Sequence, residues 1–311
     1  MFAIVEIVAP IFAIIAMGYG AVRFKLYPAS GVGGIIAFVN NFGAPFLLFR
    51  SMLNADFHTA FNLKIILPFY GAAILCLFTG MFLSRRFFKS RKGVSVAAGF
   101  SATFSNGVLL GIPIIQRAYG DEALPVILSI LGFHALTLIT FATLVLEVVR
   151  ADGGNPVGVL KRAVLNVAKN PMLWGVTLGV IANFLNVHLP EPVDAFVKLM
   201  AQAVIPAALF GLGGMLLQYK LADSWKQSVA MALLKLILHP VLAYIIMVPI
   251  LGVPFDLARY GILLATMPTG FNAYIFATFY DRGVDIAANT ILISNVLAVF
   301  TITIWLAILG V

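Results

Sequence analysis

Charge is the scarcest ingredient of this sequence. Only 10% of its 311 residues are Asp, Glu, Lys or Arg, against about 25% in a soluble domain, while 62% are hydrophobic. A soluble chain of that composition would lack the polar surface to cover itself, so membrane lipid must surround much of it. Cysteine is nearly absent. Cys76 stands alone in an apolar run, which excludes an intramolecular disulfide and reads as a small core or lipid-facing residue. The four histidines form no H-E-x-x-H pattern, no paired aspartates fall within an apolar run, and G-x-S-x-G does not occur. Zinc hydrolysis, metal-assisted prenyl transfer, aspartyl proteolysis and a nucleophilic serine of that type are thereby disfavoured. No metal or cofactor is expected, and the chain does not read as an enzyme. The net charge of +8 would suggest nucleic acid in a soluble protein. Here the basic residues sit in short loops between apolar runs, where they set membrane orientation, so no nucleic-acid partner is expected.

Long apolar runs are what the sequence has in abundance. A helix rises about 1.5 Å per residue, so crossing about 30 Å of hydrocarbon takes roughly 20 residues. Ten stretches qualify or nearly do: 2–22, 31–53, 63–83, 94–118, 123–149, 172–189, 193–217, 229–251, 257–279 and 286–309. No Lys or Arg precedes the first, so it reads as a membrane helix rather than a signal peptide. The expected fold is an all-α membrane protein of ten transmembrane helices. Loops one, three, five, seven and nine hold 14 Lys and Arg, the other loops 5, and Lys235 lies within a span. That bias places the odd loops in the cytoplasm and both termini outside a cell inner (plasma) membrane.

The longest loop contains Asp152-Gly153-Gly154-Asn155-Pro156, a turn-rich breaker. It divides the chain into 1–150, a connecting cytoplasmic loop 151–171, and 172–311. At an offset of 161 residues Pro45 falls on Pro206, Phe49 on Phe210, Asn41 on Gln202, Tyr119 on Tyr280 and His134 on Asn295. Each half has five spans, and a duplicated unit with an odd number of spans re-enters with opposite orientation. The pattern is that of an inverted repeat within one membrane domain, an arrangement frequent in secondary transporters.

Polar residues inside hydrocarbon are costly, and by default they mark function. Two clusters stand out: Ser101-Ala-Thr103-Phe-Ser105-Asn106-Gly107-Val-Leu-Leu-Gly111-Ile-Pro113 in the fourth span, and Thr266-Met-Pro268-Thr269-Gly270-Phe-Asn272-Ala-Tyr274 in the ninth. Proline lacks an N–H and clashes with the carbonyl four residues back, so Pro113 should free the carbonyl of Leu109 and Pro268 that of Leu264. At offset 161 Pro268 falls on Gly107 rather than Pro113, so the two breaks are out of strict register. Broken backbone at membrane depth must face protein or a watery cavity. The N-terminus of a half-helix suits a carboxylate. Asn106 and Asn272 offer carboxamide donors, and Ser105, Thr266 and Thr269 offer hydroxyls. Ordinary proline kinks with back-bonded Ser, Thr and Asn are the plain alternative.

The strings SNGVLLGIPI and MPTGFNAYIFA, with prolines in the second and seventh spans, resemble the auxin efflux carrier family, which includes plant PIN-type carriers and bacterial members described as malonate transporters. The resemblance covers essentially the whole chain, without the long cytoplasmic loop of the plant members. It implies two inverted five-helix repeats with broken, crossing helices four and nine, and an elevator motion. Helices one, two, six and seven would be the scaffold, often a homodimer through helices two and seven. It implies a substrate at the crossing, with Asn106, Gly107 and Pro113 on one side and Pro268, Thr269 and Asn272 on the other.

Asn41 and Gln202, and His134 and Asn295, are candidate cavity-lining residues, although interhelical packing is the stronger reading of Asn41 and Gln202 and a hydrogen-bonded structural role that of His134. His134 also suits a proton relay. Lys235 and His239 share a helical face at i, i+4; Lys235 could attract an anion, but near a span end it reads as snorkelling to water. The expectation is a secondary transporter of a small organic anion, malonate-like, with a proton or sodium as coupling ion. The alternatives are a sodium-coupled organic-anion symporter of the bile-acid type and a non-transport membrane signalling protein.

Overall fold

A computed structural model describes residues 2–54, 62–150, 171–217 and 224–311. Most of the expected connecting loop 151–171, with Lys161, Arg162 and Lys169, lies outside the described residues, as does Lys220. Among the described residues all regular structure is helical, and the one extended pairing is an isolated antiparallel bridge between Ser105 and Thr269. Among the described residues, six helices are long and apolar enough to cross a membrane: Ala29–Leu53, Leu63–Arg86, Asp121–Leu146, Glu191–Leu216, Trp225–Ile250 and Val284–Ile308. The other expected spans take other forms. Phe2–Arg23 is one helix and Pro171–Phe184 a shorter one. The fourth is divided into Lys92–Ser101 and Ile112–Tyr119, and the ninth into Phe255–Ala265 and Asn272–Phe279.

The chain forms two compact units, each drawing on both halves of the sequence. One comprises Met1–Asn62, Val108–Phe133 and Asn166–Gln218; the other Leu63–Gly107, His134–Leu165 and Tyr219–Val311.

In the first unit, Phe2–Arg23 packs along Val204–Leu216 at backbone range. A β-carbon on Gly18 would run into the Phe210 carbonyl, and one on Gly213 into the Ile15 carbonyl. Small residues allow this approach where lipid supplies no hydrophobic drive between helices. Ile36, Val39, Leu109, Val204 and Ala208 form a buried cluster. At one edge Arg50 is paired with Asp194, and the Asn183 amide donates to the Met52 and Leu53 carbonyls (3.2 and 2.6 Å) that end the Ala44–Leu53 helix.

In the second unit, Leu63–Arg86 packs on Lys92–Ser101, and Gly99 lies directly on the Leu77 carbonyl. Trp225–Leu233 runs beside Val284–Ile308, tied by a Ser228 hydroxyl that donates to the Ile286 carbonyl at 3.1 Å. Cys76, Ala98, Ala102, Met231 and Ile286 form the core between them, so Cys76 is a core residue rather than a lipid-facing one.

Three prolines follow a widened helical turn. The π-helical turns Val39–Gly43, Gly107–Gly111 and Leu234–Leu238 each precede a proline at the second following position: Pro45, Pro113 and Pro240. Widening the helix by one residue before the ring relieves its clash with the carbonyl four back. For Pro240 that carbonyl is Leu236, and the Trp305 indole N–H donates to it at 3.3 Å.

Candidate functional site: two broken helices that cross

In the second unit, the Lys92–Ser101 helix stops at Ser101 and the Phe255–Ala265 helix stops at Ala265. Beyond them the two chains run antiparallel through a short bridge. The Asn106 N–H donates to the Pro268 carbonyl at 2.7 Å, and the Gly270 N–H donates to the Phe104 carbonyl at 2.9 Å. A β-carbon on Gly270 would press on the Phe104 ring, the Ser105 carbonyl and the Asn106 Cα at 3.1–3.3 Å, so glycine there permits the approach.

Breaking a helix in an apolar interior strands backbone groups, and each must find a partner. Both breaks solve this the same way. The Ser101 carbonyl would normally accept the N–H of Ser105, but that N–H donates to His134 Nε2 at 3.2 Å. The freed Ser101 carbonyl accepts the Thr269 hydroxyl at 2.7 Å. The Ala265 carbonyl would normally accept the N–H of Thr269, but that N–H donates to the Ser294 hydroxyl at 3.0 Å. The freed Ala265 carbonyl accepts Lys235 Nζ at 2.7 Å. In each case a side chain from a following helix takes the N–H, and a side-chain donor takes the carbonyl.

Two expectations about the prolines are corrected here. Pro268 does not free Leu264, whose carbonyl accepts the Met267 N–H at 3.3 Å in a tightened last turn; the freed carbonyl belongs to Ala265. Pro113 does not break the fourth span. It is the second residue of Ile112–Tyr119 and belongs to the first unit, and the break itself, Ala102–Asn106, contains no proline. Lys235 does not snorkel. It is fully buried, with Nζ 3.0 Å from His239 Nδ1 in addition to its bond to Ala265.

Of the expected site residues, Ser105, Asn106, Gly107, Thr266, Pro268, Thr269, Asn272, His134 and Asn295 all lie in this unit. Asn106 is 5% exposed and Asn272 half-buried, and neither carboxamide has a hydrogen-bond partner among the described residues. The N–H groups of Phe271 and Asn272, at the start of the Asn272–Phe279 helix, likewise have no acceptor among the described residues. The buried Ser105 hydroxyl has none either. Thr266 is turned inward, donating to the Leu263 carbonyl at 2.7 Å. Asn295 donates to the Ile291 and Thr269 carbonyls (2.8 and 3.3 Å), with its own oxygen unpartnered. Asn41 and Gln202 are exposed residues of the first unit, outside this cluster.

His134 accepts at Nε2 and therefore carries its proton on Nδ1, which has no acceptor. Its ring is held by Phe104, Phe69 and Tyr70, with centroids at 4.5, 5.7 and 6.2 Å. Replacing His134 by leucine, which fills space but accepts nothing, should strand the Ser105 N–H and lower stability by about 1–3 kcal/mol. His134→Gln, which keeps an acceptor, should recover part of that. Melting temperatures of the purified variants check the order wild type, Gln, Leu.

Ser294 and Lys235 complete the site; from the sequence Lys235 is weighed as an anion-attracting residue but snorkelling is favoured, and Ser294 is left aside. Ser294 adjoins Asn295, the residue matched with His134, and Lys235 is a lysine in the interior of an apolar run; both signals were present.

Among the described residues, apolar helices of membrane length around a polar, broken-backbone centre fit a membrane transporter. The comparison agrees: a family model described as "Membrane transport protein" matches residues 3–306. This chain is a multi-pass membrane transporter, not an enzyme, and it belongs to the auxin efflux carrier family. A Rhizobium meliloti (strain 1021) protein provisionally named a malonate transporter is 26% identical over 306 residues, covering 96% of this chain and 94% of that protein. An Arabidopsis thaliana protein named auxin efflux carrier component 5 is 25% identical over 320 residues, covering 90% and 89%. The uncharacterised transporter YfdV of Escherichia coli (strain K12) is 24% identical over 302 residues, covering 96% and 95%.

Proposed function

We propose that this transporter carries a small mono- or dicarboxylate, malonate-like, across the inner membrane by alternating access, and that the anion binds at the crossing of the two breaks. The observation that carries the reading is the bridge through Ser105 and Thr269. It gathers two carboxamides, Asn106 and Asn272, beside a helix start, and neither these carboxamides nor the first N–H groups of that helix have a partner among the described residues. Amide donors and the positive end of a helix complement a carboxylate and replace its water. The Rhizobium relative's name points to a dicarboxylate.

In this reading the chain has ten membrane helices in two inverted five-helix repeats, and the matched treatment of Ser101 and Ala265 supports that. The cytoplasmic side is that of the basic loops, with both termini outside. The unit containing the crossing, Leu63–Gly107, His134–Leu165 and Tyr219–Val311, is the part that moves in an elevator cycle, because it contains the whole of the hydrogen-bonded break.

The test is counterflow in proteoliposomes loaded with unlabelled malonate. Saturable accumulation of labelled malonate, competed by other short carboxylates, is expected. No exchange of any mono- or dicarboxylate would refute the reading.

A further inference from the structure

Lys235 is the feature that the carboxylate reading leaves unused. It sits in the π-helical turn Leu234–Leu238 and is completely enclosed. The ion pairs among the described residues are Arg50–Asp194, Arg259–Asp256 and Arg282–Asp281, so no carboxylate there balances Lys235. A buried ammonium without a counter-charge is costly, and something must compensate it. Its surroundings name the compensation. Nζ donates to the carbonyl of Ala265, the last residue of the Phe255–Ala265 helix, and lies 3.0 Å from His239 Nδ1. A helix C-terminus carries the equivalent of about half a negative charge on its unsatisfied carbonyls. The ammonium therefore occupies the place where a broken membrane helix offers a carbonyl to a coupling cation.

The π turn explains how the lysine reaches it. Pro240 removes an N–H from the ladder, and the widened turn before it holds Lys235. His239, one turn on, lies against Phe69 at 5.3 Å between ring centroids, which fixes the second acceptor. Cys76 seals the same region, with its thiol 3.5 Å from the Leu234 carbonyl.

We propose that Lys235 is a tethered cation: its side-chain nitrogen fills the cation position at the carbonyl end of the ninth-helix break, so the crossing is assembled without sodium. Lys235 is a positioning residue, acting on the substrate through the Ala265–Gly270 backbone. The part of this inference that concerns transport rests on the carboxylate reading; the part that concerns assembly of the break does not.

The experiment uses the purified full-length protein and its Lys235→Ala variant, with Lys235→Arg as a second variant that keeps a charge. Thermal unfolding is followed in sodium, methylammonium and choline chloride at equal ionic strength. Wild type should melt at the same temperature in all three. Lys235→Ala should melt several degrees lower in choline, and sodium or methylammonium, small enough to enter the vacated position, should restore most of the loss. Lys235→Arg should fall between the two in choline and respond little to the small cations. A Lys235→Ala variant that melts like wild type, or whose loss neither small cation reduces, overturns the proposal. If that variant does not fold, the wild-type arm decides: equal melting supports the tethered cation, and a sodium-specific rise overturns it. In proteoliposomes, malonate counterflow by wild type should be equal in sodium and choline, and that of Lys235→Ala should rise at least tenfold on adding either small cation. If wild type moves no carboxylate, the substrate reading fails while the melting result still judges Lys235.

Discussion

Asn106→Ala and Asn272→Ala should each reduce carboxylate binding about tenfold to a hundredfold, and the double variant should reduce transport to background. A hydrogen bond to a charged group contributes about 1.5–3 kcal/mol, and every 1.4 kcal/mol is about tenfold in affinity. The same substitutions should leave folding almost untouched. Asn106 is buried and Asn272 half-buried, yet neither carboxamide donates to anything among the described residues. Removing them breaks no hydrogen bond among the described residues. A structural asparagine behaves in the opposite way: its loss lowers the melting temperature and spares the substrate. Equilibrium binding of labelled malonate, beside a melting curve for each variant, separates the two. Variants that bind like wild type would remove these residues from the site.

The second large effect concerns the first unit. Gly213→Val should prevent stable assembly of the Phe2–Arg23 and Val204–Leu216 pair. Its β-carbon would occupy the space of the Ile15 carbonyl, and the Ile15 carbon and the Tyr19 amide nitrogen lie only 2.8 Å from the same point. These are backbone atoms in continuous helices, which cannot turn aside as a flexible side chain can. The cost should therefore meet or exceed the about 1–3 kcal/mol usual for overpacking. Gly33→Val is the control, since a β-carbon there meets nothing within 4 Å. Size-exclusion profiles and melting of the two variants provide the measurement. A monodisperse Gly213→Val protein with wild-type melting would show that the two helices do not depend on this approach.

The helical, membrane-spanning character of the chain was legible in its composition, because the length of an apolar run is itself a physical requirement of the bilayer. The two breaks were legible as clusters of Asn, Ser, Thr, Gly and Pro, and their meeting was implied by the resemblance to the auxin efflux carrier family. The detail was not legible. Pro113 drew attention to the wrong turn of the fourth span, because proline marks where a helix is strained but not whether widening it by one residue relieves the strain. The actual break, Ala102–Asn106, is held open by His134 and Thr269, whose bonds to Ser105 and Ser101 span 29 and 168 residues of sequence. Lys235 was misread for a related reason. Distance from a span end predicts snorkelling only when water is the best acceptor within reach, and here the Ala265 carbonyl is nearer.

In the proposed function, the crossing recognises negative charge on a carboxylate. Competition between malonate and malonamide, its uncharged diamide of similar size and shape, tests this most directly. In labelled-malonate binding to the purified transporter, unlabelled malonate should displace the label and malonamide should leave it in place at a hundredfold higher concentration. Equal displacement by the two compounds would show that shape rather than charge is read at Asn106 and Asn272, and would contradict the account.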